Sequence, residues 1–104
     1  MPQAAKKYFL VKLLPPRPTF AFDMNEAEKK LMQNHAAYWQ PYIAQGVVVI
    51  FGPVLEPANA WGMAVIETDD ETLPKRIVEG DPTIKSGLGF SHAIAPMQVG
   101  FVRS

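Results

Sequence analysis

Cysteine is absent from this 104-residue chain, which excludes disulfides and thiolate metal sites and suits a reducing compartment. An excess of one charge is absent too: ten basic and ten acidic side chains cancel, and no long run of one sign occurs. Phosphate backbones select a basic field, so nucleic acid is excluded as an expected partner. Long apolar runs are missing as well. The longest outside the start, around 47–55, is far too short to span a bilayer. At the start, Lys12 interrupts the apolar run after Tyr8 to Val11, and no small-residue cleavage site follows. The sequence therefore predicts a soluble, cytoplasmic protein with no membrane partner. No serine sits in a nucleophile motif, and the two histidines lack local metal-ligand spacing. Gly87-Leu88-Gly89 lacks the strand-to-helix context of a phosphate loop.

What is present suffices for one core: 48% of residues are hydrophobic and 19% charged, in a chain of single-domain size spanning 1–104. Its organising stretch is 26–45. Leu31, His35, Tyr38 and Tyr42 recur at helical spacing, with Trp39 and Ile43 widening the stripe. Lys29, Lys30, Gln33 and Gln40 make the solvated side. The stripe thus buries an imidazole and two phenols, and buried polar groups need partners. Asp23 or Asn25 can cap this helix, Pro41 should bend it, and Gly46 should end it in the left-handed conformation.

Residues 8–14 read as a strand with Phe9, Val11 and Leu13 on one face. The segment Pro15 to Phe22 carries three prolines and reads as irregular; Phe20 and Phe22 suggest either a lid or a plain loop. Val47 to Phe51 reads as a strand buried on both faces and stopped by Gly52-Pro53. Trp61 to Ile66 is a further strand. Thr68 with Glu71 fits a capping box for a second helix, whose apolar side is Leu73, Ile77 and Val78. Asp81 and Pro82 open a short helical turn through Ser86, and the last strand runs from Phe90 to about Gln98.

This order predicts an α+β protein with a ferredoxin-like βαββαβ protomer, one sheet carrying two helices on a single face. The strands are apolar on both sides, so a second copy packed sheet against sheet is expected.

His35 is either a core histidine satisfied by a nearby carbonyl or hydroxyl, or a general acid/base, since imidazole titrates near neutrality. Asp81 is explained as a helix cap, yet its second oxygen can hold an imidazole N–H. Tyr38, Trp39 and Tyr42 suit a core or the wall of a pocket. His92 shares its strand phase with Phe90 and Ile94 and is expected at the sheet or dimer face.

The chain resembles the YCII-related (YciI-like) family. The matching pieces run in order: His35-x-x-Tyr38 with Gly46, Gly52-Pro53, Trp61-Gly62, then Gly80-Asp81-Pro82 with Lys85 to Leu88, and Ile94 to Met97. Leu31 to Asn34 stand where the family often has an arginine, and Thr83 where an aromatic often follows the Asp-Pro pair. The resemblance implies a dimeric α/β barrel in which His35 and Asp81 form a catalytic dyad. It further implies a cofactor-free isomerase or lyase like muconolactone isomerase or the related dehalogenases, acting on a small organic acid or lactone. Tyr38, Tyr42 and Phe22 are the candidate substrate contacts. The competing reading is a dimeric module that binds a metabolite without converting it.

Overall fold

The computed structural model describes residues 6–100. Its elements follow the chain as β1 (Lys7–Leu14), α1 (Phe20–Asp23), α2 (Glu26–Ala44), β2 (Val48–Val54), β3 (Trp61–Thr68), α3 (Leu73–Glu79), α4 (Pro82–Lys85) and β4 (Ser91–Met97). The strands form one sheet in the order β2-β3-β1-β4, with antiparallel neighbours throughout. This is an α+β arrangement whose element order and sheet order are those of a ferredoxin-like protomer.

The core lies between the sheet and the helices. Phe9, Val11 and Leu13 alternate inward along β1, as their period-2 spacing predicts. Ala64 and Ile66 of β3, Val48 of β2 and Ile77 and Val78 of α3 complete the packing. From α2 the buried contributions are Glu28, His35 and Trp39, with Tyr38 and Tyr42 half-buried beside them. Ile43, expected in the stripe, is 39% exposed.

Several local expectations give way to tertiary partners. The Pro15 to Phe22 segment is not wholly irregular, since α1 forms a single helical turn directly after Pro18-Thr19. The strand β2 does not stop at Gly52-Pro53 but runs on to Val54, pairing Gly52 with Met63 and Pro53 with Gly62. Nor is it buried on both faces: it is an edge strand, where proline is tolerated, and Val49 and Ile50 are exposed. Its register shifts between Val48 and Ile50, so Val49 is an extra residue opposite β3. Thr68 caps no helix; its hydroxyl accepts from the Asp70 backbone N–H. The Asp70 carboxylate accepts in turn from the Thr72 N–H, and α3 begins only at Leu73.

The start of α2 is a full capping box. The Asn25 side chain accepts from the Glu28 N–H at 2.8 Å, and the Glu28 carboxylate accepts from the Asn25 N–H at 2.9 Å. Glu28 also receives Arg17 bidentately, at 2.7 and 2.8 Å, and Arg17 reaches back to Asp23. The entry segment is therefore tied to the first turn of α2. The hydrogen bonds from Arg17 and from the Asn25 N–H hold the Glu28 carboxyl down to about 2, below its ordinary 4.5. On acidification the unfolded chain takes up this proton first, so the stability Glu28 contributes is complete above about pH 4.5. It fades as pH falls toward 2. Glu28→Gln should therefore lower the urea midpoint at pH 7, with the gap to the parent protein narrowing at pH 3. A gap that stays constant with pH would refute this account.

Candidate active site

One face of α2 and the junction between α3 and α4 meet at a single carboxylate. His35, Tyr38 and Trp39 stand at positions i, i+3 and i+4, so they project together. Opposite them, Gly80 closes α3 and Asp81 caps α4, accepting from the Thr83 N–H at 2.8 Å. Pro82 fills the first helical position, where no donor is needed. The cap predicted for Asp81 forms, and the rest of its side chain is also engaged.

Asp81 is 2% exposed and receives hydrogen bonds from four groups. Its Oδ1 accepts from the Thr83 N–H and the Thr83 hydroxyl, both at 2.8 Å. Its Oδ2 accepts from the Trp39 indole N–H at 2.6 Å. The His35 Nδ1 lies 2.8 Å from Oδ2 and 3.0 Å from Oδ1. Burial favours the neutral acid, but the hydrogen bonds from His35, Trp39 and the Thr83 N–H, with the attraction of the His35 ring, together outweigh it and hold Asp81 below the usual carboxylate range. An ionised carboxylate only accepts, so Nδ1 of His35 carries the proton that points to it. In the neutral ring, Nε2 then holds the free lone pair. Nε2 has no partner among the described residues, and none of their buried side-chain nitrogens or oxygens is left unpaired. It is therefore open, and His35 opens onto a cavity.

That cavity measures about 370 Å³, a size suited to a small organic molecule. It exists because β3 and α2 present small residues, Gly62, Ala64 and Ala36, between larger ones. Gly62 lies against Leu13, where an added Cβ would come within 3.3 Å. Met32 and Trp39 of α2 form one wall, Phe51 and Pro53 of β2 another. Phe20, Ala21 and Met24 close it from the entry segment, and Phe20 packs edge-on against Phe90 at 5.2 Å. Among the described residues that line the cavity only His35 and Asp81 ionise, and none is a lysine or arginine. Among the described residues, no group of three or more His, Asp or Glu side chains is placed to hold a metal ion.

The structure thus brings His35 and Asp81 together at the cavity wall. It places the three expected substrate contacts elsewhere. Tyr38 donates to the Ile77 carbonyl at 2.7 Å, Tyr42 packs on the rings of Tyr38 and Trp39, and Phe22 is 72% exposed. None of the three lines the cavity. Helical phase turns Tyr38 toward α3 with Tyr42 beside it, and the turn of α1 directs Phe20 inward and Phe22 outward. His92 is half-buried on β4, opposite Leu13 of β1, and takes no part in the site. Sequence reasoning missed Thr83, which stands at the second position of α4 where a cap accepts, and gave Trp39 to the core or a pocket wall without its hydrogen bond to Asp81.

The family model of the YCII-related domain matches residues 9–98. The chain belongs to this family. No curated protein matches it. Among solved structures it is similar to 5-chloro-2-hydroxyhydroquinone dehydrochlorinase (TftG) from Burkholderia phenoliruptrix AC1100 in complex with 2,5-dihydroxybenzoquinone. That likeness has a TM-score of 0.65 and 19% identity, covering 88% of this chain and 95% of that one. An uncharacterized protein from Thermotoga maritima also matches, at 14% identity and a TM-score of 0.49, over 90% of this chain and 100% of that chain. At these identities the first match speaks for the fold.

Asp81→Asn tests the four-donor arrangement. One end of the new amide is itself a donor, and the Trp39 N–H cannot become an acceptor, so a buried donor is left facing a donor. The variant should lose about 1–3 kcal/mol in a denaturant titration. Unchanged stability would show that these contacts contribute nothing.

Proposed function

We propose that this YCII-related domain is a cofactor-free acid/base enzyme acting on a small, uncharged organic molecule. The observation that carries the reading is the asymmetry of His35: Nδ1 is bound to a buried, ionised carboxylate, Nε2 has no partner among the described residues, and the ring lines an apolar cavity. In the proposed reaction, Nε2 takes a proton from a carbon next to a carbonyl, and Asp81 stabilises the imidazolium that forms. The electron pair left on carbon then has two outcomes. Returning the proton at another carbon gives an isomer. Alternatively, the pair forms a double bond as a leaving group departs with its own bonding electrons, and His35 afterwards gives its proton to solvent. The dehydrochlorinase similar in fold is named for an elimination of the second kind, which supports this reading by analogy.

Of the two substrate classes that the family resemblance implies, a neutral lactone or ring ketone fits better than an organic acid. A carboxylate would meet no lysine or arginine among the described residues of the cavity and would lie near the charge of Asp81. Arg17, the cation of the entry segment, is engaged by Glu28 and Asp23. With either class of substrate, the same reading expects a homodimer. Leu10, Met63 and Val65 are only half-buried on the sheet face away from the helices, and Ile50 is 55% exposed there.

Three outcomes check this. In a panel of lactones, cyclic ketones and matched carboxylates, turnover should fall on the neutral members. On whichever substrate is turned over, His35→Ala should lose about a hundred- to ten-thousand-fold in kcat/KM while keeping its circular dichroism. Undiminished turnover in that variant would retire the mechanism. Light scattering near physiological salt should return twice the mass of the chain, and a monomer would remove the dimer.

A further inference from the structure

The Asp81 carboxylate is only as well placed as the peptide that carries it, and that peptide has a second attachment to α2. The Tyr38 hydroxyl donates to the Ile77 carbonyl at 2.7 Å, and the same carbonyl accepts from the Gly80 N–H at 3.1 Å. Two residues of α2 therefore hold Asp81 directly, and a third holds the last turn of α3 at Ile77, four residues before it.

Gly80 is the telling residue. Its φ of −88° and ψ of −5° are ordinary helical values that any residue adopts, so backbone conformation does not require glycine here. Space does. A Cβ built at Gly80 would overlap the Tyr38 hydroxyl and come within 3.2 Å of its Cζ. The position is empty of side chain because the phenol stands in it. Burial, chiefly, pushes the Tyr38 hydroxyl above the ordinary phenol range, so it remains a neutral donor.

We propose that Tyr38 is a positioning residue, which fixes the Ile77–Asp81 backbone through its hydroxyl and so sets the Asp81 carboxylate against the His35 ring, with Gly80 as the space that admits it. Tyr38 does not line the cavity; it meets the site through the Ile77–Asp81 backbone and through the Trp39 ring, which it packs against edge-on. The catalytic meaning of this rests on the acid/base reading of His35; the placement of Asp81 does not.

The experiment is a three-variant set in the full, nitrogen-15-labelled chain, reading the His35 ring by NMR without any substrate. The sequence has two histidines, so His35→Ala assigns the signals. The parent protein should show His35 with its proton on Nδ1 and in slow exchange. Gly80→Ala should broaden or lose that proton signal, because the added methyl and the Tyr38 oxygen cannot share one place. Adding Tyr38→Phe to Gly80→Ala should bring it back to the level of Tyr38→Phe alone. If Gly80→Ala does not fold, Tyr38→Phe alone decides. It should speed exchange of the Nδ1 proton roughly 2- to 12-fold, the equivalent of one lost hydrogen bond. A merely structural Tyr38 would lower the denaturant midpoint and leave His35 exchange unchanged, and that result overturns the proposal. So does a Gly80→Ala variant with the parent signature, or a double variant no better than Gly80→Ala. If His35→Ala leaves turnover intact while this set behaves as expected, the enzyme reading fails and the positioning stands.

Discussion

A carboxylate taken out of water must be compensated by hydrogen bonds, and Asp81 is where this protein meets that demand. Four donors converge on its two oxygens: a backbone amide, a hydroxyl, an indole and an imidazole. Two come from α4 itself and two from α2, so the cost of burial is met only when the long helix and the short one are docked. The sequence Gly80-Asp81-Pro82 compresses five tasks into three residues. Gly80 ends α3 and leaves room for Tyr38, Asp81 caps α4 and holds His35, and Pro82 begins α4 where no amide is needed. Removing one donor would leave the charge and disturb the docking together.

The cavity follows from the same docking. Val11, Trp39, Ala64 and Val78 belong both to the core and to the cavity wall, so the hollow is a continuation of the core where side chains become small. Its character is apolar with one polar edge. The cation of the entry segment, Arg17, is held by Glu28 and Asp23 and lies over the Phe20 ring at 5.3 Å. Its charge is thus kept at the rim, and the imidazole is left as the reactive feature inside.

Much of this was legible in the residues. The helical recurrence of His35 and Trp39, the glycine that ends the helix at a φ of 78°, and the Asp-Pro cap are signals each written within a few positions of chain. The failures are of another kind. Nothing local distinguishes Phe20 from Phe22, and only the turn of α1 against Phe90 does. Nothing local says that Gly52-Pro53 continues a strand, because an edge position is a property of the sheet. Tyr38 and Tyr42 had the chemistry of a pocket wall and the phase of a different interface. That His35 and Asp81 share one site came from the family resemblance, since 46 positions separate them and no spacing rule spans such a distance.

The extra residue in β2 changes the phase of everything after it. Side chains along a strand alternate between faces, and Val49 interrupts that alternation between Val48 and Ile50. Val48 therefore faces inward and so does Phe51, three positions on, whose ring stands 5.3 Å from that of His35. In an uninterrupted strand those two would lie on opposite sides, and Gly52 would take the inner place. The hollow beside the imidazole would then have a window where it now has an aromatic pane, glazed by a single added residue.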